Sequence, residues 1–375
     1  MNLFIREIKA MLASPWQLAL VTYLPLIGGL LLWGIFSSAV PRSLPVAIID
    51  MDNSSLSRLL IRDLQANPTI APIIYQQLPK AKLAMQEGKV FALVVLPYQL
   101  RKNLLSARQP SIEIRYNSQF LLVGKLLSSE LQISLGSGLS SLASLKQLAQ
   151  GVPKGRVGIN LSPISLQKTA LFNQNSNYVA FLVPALIIAL LQIIGMLVFL
   201  NSLTQESENR SAKSAESLGI WKVLACKFSL YSIIILIHAM FAFTFFYLYL
   251  ALPIHGSLWM LGVAFWIMLI ADFLIVLLIY SIFLDSTRVV SICTALFAPA
   301  MTFMGVTFPT HNMPVLAQYW RQLIPSTQYI ETHISIISHG LSQGEFIFKL
   351  SHNWGFAMLI IPIIYFVNKG KNHDL

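Results

Sequence analysis

Two ionisable side chains stand where water does not normally reach. Asp272 falls in the middle of the apolar run that closes near Phe283, and His238 within the run that closes near Leu250. A charge at the centre of a bilayer costs about 2.5–3.5 kcal/mol on insertion scales, so such a group seldom faces lipid. Each has a transport reading, a cation site or hinge contact in a path. Each also has a plainer one, a buried hydrogen bond between helices, and the plainer one is favoured for both. A third acid, Glu331, sits in a proline-broken segment and either lines an exit or is solvated. His311, His333, His339 and His352 cluster late in the chain, yet their spacings match no metal-ligand motif, and no metal site is expected. Asp50 and Asp52 flank a turn, where capping of the next helix explains the pair better than a bound cation. Asp272 with His238 is too small a set for a membrane-embedded enzyme.

Nucleotide chemistry is missing in its usual form. No G-x-x-x-x-G-K-S/T run occurs in the 375 residues, so no Walker A loop cradles a phosphate here. If the chain moves a solute uphill, the energy enters from a partner. The two cysteines, Cys226 and Cys293, lie at or inside apolar runs and read as packing residues.

These residues must be held by the elements around them. Hydrophobic residues make up 55% of the chain and charged ones 11%, against about 25% charged in soluble domains. About 20 apolar residues span a bilayer core. Stretches meeting or approaching that length fall at 16–38, 178–200, 224–250, 258–283, 289–306 and 354–367. The expected fold is an α-helical polytopic membrane protein with six transmembrane helices and an inserted α/β extracytoplasmic domain over 39–177. The first stretch is longer than a signal-peptide core of roughly 7–15 residues and reads as a retained span. Before it, Phe4, Ile5, Ile8, Met11 and Leu12 recur at helical spacing opposite Arg6 and Lys9, so residues 1–15 read as an amphipathic interfacial helix that Pro15 ends.

Within the insert, Val46–Asp50, 70–75, Val90–Leu96 and Ser111–Tyr116 read as strands, and 55–66, Lys80–Gln86, 97–106 and 118–150 as helices. Alternation of this kind makes a small α/β domain. Residues 151–177 connect it back to the spans. A polar loop at 201–222 follows the second span, the segment 308–350 is interrupted by prolines, and 368–375 is a tail.

An even number of spans puts both ends on one side. The short loops on that side carry Arg6, Lys9, Arg210, Lys213, Lys222, Lys227, Arg288, Lys369 and Lys371, and the connector 251–257 opposite carries no Lys or Arg. The positive-inside rule therefore places both termini in the cytoplasm. Fifteen of the 26 Lys and Arg lie in the insert, against six acids, but long domains cross largely regardless of charge. The net +11 forms no patch beside stacking aromatics, so no nucleic acid is expected.

Three stretches carry a family resemblance. They are Val46–Leu60, the run from Gly88 through Pro97 to Ile112–Asn117, and Gly305–Glu331, where Gly, Phe-Pro, Met-Pro and Pro-Ser/Thr recur in order. In order and spacing the chain resembles the type-2 ABC exporter permeases with a large extracytoplasmic domain between the first two spans. The resemblance implies a multi-pass permease subunit of the bacterial inner membrane, with a separate ABC ATPase subunit that binds ATP and Mg. This chain itself would bind no cofactor. It further implies a two-fold dimer with a second copy or a paralogue, contact with membrane lipid, and an insert placed to help exit or to dock a periplasmic adaptor. It puts the ATPase contact on the first helix and the loop 201–222, singling out Arg6, Glu7, Glu206, Glu208, Glu216 and Gly219. In the family the loop ends in Gly-Thr, whereas Ile220 follows Gly219 here. It also implies two short helices dipping into the outer leaflet within 308–350. The substrate class implied is a drug, lipid or lipid-linked product, amphipathic or hydrophobic. The rival reading is a membrane-anchored sensor or adaptor whose outer domain binds a ligand without transport.

Overall fold

A computed structural model describes residues 3–37, 41–105, 111–117, 121–149, 177–210, 219–307 and 309–371. The chain divides into two compact units, Val40–Thr169 and Met1–Ala39 with Ala170–Leu375.

The chain opens with α1 (Leu3–Ala13), α2 (Pro15–Val21) and α3 (Tyr23–Phe36). The 16–38 stretch is thus a broken helix, bent by 42° at Thr22. Pro25 supplies the cause. It has no N–H for the carbonyl of Val21, and its ring crowds that turn.

The smaller unit holds β1 (Leu44–Asp50), α4 (Ser55–Ala66), β2 (Ile70–Ile74), α5 (Leu78–Gln86), β3 (Ala92–Leu96), α6 (Leu100–Leu105), β4 (Glu113–Tyr116) and α7 (Leu121–Ala149). The strand order is β2-β1-β3-β4, with β1 parallel to both neighbours and β4 antiparallel to β3. Val46 and Ile48 face α4 and α7, and Ala47 and Ile49 face α5. Cover on both faces explains why β1 and β3 are unbroken apolar runs. Pro72 is tolerated because β2 is an edge strand. Asp50 accepts from the backbone N–H of Asp52 and Asn53 and from the Ser57 hydroxyl, and Asp52 accepts from the Arg101 N–H. Both acids are spent on turn and helix-start hydrogen bonds. The expected connector 151–177 lies outside the described residues, except for Asn177.

The larger unit continues with α8 (Tyr178–Phe181), α9 (Val183–Arg210), α10 (Ile220–Thr244), a π-helical turn (Phe245–Tyr249), α11 (Leu258–Phe283), α12 (Ser286–Phe297) and α13 (Ala300–Phe303). After it come α14 (Val315–Gln322), α15 (Pro325–His339), α16 (Gln343–Ser351), α17 (Trp354–Ala357) and α18 (Ile360–Lys371). Among the described residues, four helical segments are long and apolar enough to cross a membrane, or six if each of two bent pairs is one span. The second bent pair is Gln343–Ser351 with Trp354–Asn368, at 43°.

The region from Asn201 departs from the expected loop. Helix α9 runs on to Arg210. Its polar composition had argued for a loop, but no glycine or proline interrupts 201–210. Glu206 and Ser207 also bond to neighbouring helices from it. Residues 211–218 lie outside the described residues.

Candidate functional site

The strongest polar constellation ties α1 to the ends of α9 and α10. On α1, Glu7 is the one buried residue, 3% exposed, while Phe4, Ile5, Ile8 and Leu12 are exposed. A soluble helix would do the reverse. A helix resting on lipid, with its polar contact turned into the protein, has this pattern. Lys227 of α10, 2% exposed, places Nζ 2.7 Å from both Glu7 carboxylate oxygens. The Tyr231 hydroxyl donates to Glu7 Oε1 at 2.9 Å, one helical turn further on. Glu206 of α9 lies 3.4 Å from Lys227 and takes a 2.9 Å bond from Arg6. Two acids and two bases thus alternate across three helices. Breaking a buried pair by removing one partner costs about 3–5 kcal/mol, because a buried charge loses its counter-charge. Below them Gln17 of α2 donates to the Val198 carbonyl at 3.2 Å and accepts from Asn201. The first helices and α9 are therefore coupled through polar contacts rather than loose packing.

Of the residues singled out for ATPase coupling, Arg6, Glu7 and Glu206 meet in this cluster. Gly219 begins α10 as its N-terminal cap residue, with open space where a Cβ would stand. Glu208 lies on α9 with its side chain outside the described residues, and Glu216 lies outside them altogether. Lys227, Tyr231 and Gln17 were missed. Lys227 counted only as an orientation charge, though a lysine seven residues into a helix start has more reach inward than a true loop charge.

Asp272 and His238 stand elsewhere. Asp272, fully buried on α11, accepts from the Gln192 amide of α9 at 2.8 Å. The second carboxyl oxygen and the Gln192 carbonyl oxygen have no partner. His238 on α10 brings Nδ1 to the Ile234 carbonyl at 2.9 Å and Nε2 to the Thr22 carbonyl at 3.3 Å. The second contact reaches a carbonyl at the break in the first span. Glu331 of α15 pairs with Arg321 of α14 at 2.7 Å, and Arg321 also donates to the Phe303 carbonyl at the end of α13. Arg321 is a further residue the sequence did not point to. It ties three short helices together.

Of the four histidines, His333 is buried between two tyrosines. Tyr247 meets Nε2 at 2.7 Å and Tyr329 meets Nδ1 at 3.0 Å. No group of three or more His, Cys, Asp or Glu suited to a metal occurs among the described residues.

Long apolar helices, two of them bent pairs, define a multi-pass membrane protein. The chain belongs to the ABC-2 family transporter proteins, whose family model matches residues 15–367. A search of curated proteins and a search of solved structures each returned no match. Membership makes the chain a transporter membrane subunit rather than an enzyme, in a family whose permeases generally pair with an ABC ATPase.

Proposed function

We propose that the protein is the permease subunit of an ATP-driven exporter and moves an amphipathic or hydrophobic molecule out of the cytoplasm. The substrate would be a drug, a lipid or a lipid-linked product, and the ATP would be hydrolysed with Mg by a separate subunit. Both termini face the cytoplasm, residues 39–177 lie outside, and the membrane is the bacterial inner membrane. Two copies, or a copy and a paralogue, close the path about a two-fold axis.

One observation carries the reading beyond the family match. The first helix is locked by the Glu7–Lys227–Glu206–Arg6 cluster to two of the long apolar helices. A push on that helix from an ATPase would pass directly into α9 and α10, since buried charge pairs do not slip without cost. Asp272, His238 and Glu331 remain candidates for the path. Asp272 and His238 would act there as fixed polar contacts that hold bent helices in register.

The test is purification of the native complex. An ABC ATPase subunit is expected to accompany the chain, and Arg6→Ala with Glu206→Gln is expected to lower its substrate-stimulated hydrolysis several-fold. Absence of any ATPase, or hydrolysis indifferent to the double substitution, would favour a sensor or adaptor instead.

A further inference from the structure

A cavity of about 320 Å³ lies among the start of α9, the π-helical turn, the connector after it and α15, at the lower end of the roughly 300–1,000 Å³ range of small-molecule sites. Ala180, Phe181, Pro184, Leu252, Ile330 and Ile334 supply apolar walls, and Tyr247, His255 and His333 are its aromatic polar lining. Among the described residues, no Lys, Arg, Asp or Glu lines it. A charged ligand would enter without a counter-charge, so the site suits an uncharged one.

The Tyr–His–Tyr chain gives this cavity a direction. Neutral imidazole has one N–H and one lone pair. Among the described residues, the hydrogen-bond partners of His333 are the two tyrosine hydroxyls, with no carboxylate. Two arrangements of hydrogens make both bonds. In one, Tyr247 donates to Nε2 and Nδ1–H donates to Tyr329, which strands the Tyr329 hydrogen. Tyr329 is 2% exposed, does not line the cavity, and has no other hydrogen-bond partner among the described residues. In the other, Tyr329 donates to Nδ1 and Nε2–H donates to Tyr247. The spare hydrogen then belongs to Tyr247, which does line the cavity. Buried donors are almost always satisfied, and only Tyr247 of the two lines the cavity, which favours the second arrangement. The π-helical turn Phe245–Tyr249 places Tyr247 there, and single π turns of this sort recur at functional sites.

We propose that this cavity binds an uncharged, lipid-like amphiphile, its chain against the apolar walls and its ester or amide carbonyl accepting the Tyr247 hydroxyl. The site's place at the outer end of the spans rests on the orientation proposed above, whereas its ligand chemistry does not.

The probe is a monoacylglycerol with a diazirine in its acyl chain, photolysed on the full-length protein in nanodiscs, with an alkyl diazirine of equal length as comparator. Labelling is expected in peptides holding Phe181 and Ile334. Tyr247→Phe is expected to weaken the monoacylglycerol about tenfold, the effect of one lost hydrogen bond, and to leave the alkyl probe unchanged. Ile334→Trp, at a half-exposed wall position, is expected to exclude both. On the unmodified protein the ester probe should outcompete the alkyl probe at equal membrane concentration, which needs no variant to fold. Labelling confined to other segments, or equal binding of the two probes to the unmodified protein, would overturn the proposal. So would a Tyr247→Phe effect that is absent or identical for both. Native mass spectrometry separates the two sources, since a resident bilayer lipid copurifies while an exported molecule exchanges during ATP turnover. Binding without any ATPase partner would keep this site and remove the transport reading. Export without labelling would do the opposite.

Discussion

Lys227 is the residue on which most depends, because it faces both Glu7 and Glu206. Lys227→Met leaves Glu7 buried against only the Tyr231 hydroxyl. A loss of about 3–5 kcal/mol is expected, measured as a fall in thermal unfolding temperature in detergent. The double variant Glu7→Leu with Lys227→Met removes both charges, and it should unfold closer to the parent than Lys227→Met does. Asp272 obeys a different rule. Asp272→Asn keeps an acceptor for Gln192 and adds N–H donors for its orphan carbonyl, so stability should change by less than about 1 kcal/mol. Gln192→Leu strands the acid, at about 1–3 kcal/mol. If Asp272→Asn proves the costlier of the two, the carboxyl is charged and has a partner outside this chain. At this scale the sequence spoke unevenly. A lone acid in an apolar run is conspicuous, so Asp272 stood out. A glutamine in the same setting, or a lysine near a span end, resembles ordinary interface chemistry, so Gln192 and Lys227 did not.

Elements were easier to read where composition and geometry agree. All four strands overlap the stretches read as strands: β3, buried at every position, is apolar throughout, whereas β4 alternates with Glu113 and Tyr116 exposed. Breaks were harder. The bend at Thr22 has a visible cause in Pro25, but the π turn at Phe245–Tyr249 has no sequence mark, and the helical extension through Arg210 reads as a loop by polarity alone. Close backbone approaches are equally silent until seen. The connector Pro253–Gly256 lies on the end of α15, where the His255 N–H donates to the Ile337 carbonyl at 3.1 Å. A Cβ on Gly256 would stand 2.7 Å from an Ile336 side-chain methyl and 2.8 Å from its carbonyl oxygen. Gly256→Ala must therefore move the connector, and a loss of about 1–3 kcal/mol is expected from such overpacking. Gly344→Ala on α16 meets nothing within 4 Å and should be neutral or slightly stabilising. Equal unfolding temperatures for the two variants would show that the connector yields freely.

At the scale of the molecule, the governing question is which side of the membrane each unit faces, and the proposed answer rests on charge counting. Nine basic residues on the short segments of one side set the proposed orientation, while the inserted unit is itself basic and would by its own charge point the other way. The two cysteines are buried, so the parent protein has little thiol background and single cysteines can report each side. Tyr98 lies in the inserted unit and is 70% exposed. Arg288 lies in the first turn of α12 with its side chain 70% exposed. With a membrane-impermeant maleimide on intact cells, Tyr98→Cys is expected to react at once. Arg288→Cys is expected to react only after the membrane is opened. The reverse pattern would turn the transporter over, placing the Glu7–Lys227 cluster beyond the reach of any cytoplasmic ATPase. Because loops of Lys and Arg hold a segment inside while a long folded domain crosses regardless of its charge, Arg288→Cys, which also removes one positive charge, should be checked beside Thr287→Cys. Thr287 is exposed in the same first turn of α12, and its substitution keeps Arg288 in place. Agreement between those two positions would make the assignment independent of the charge that was altered to measure it.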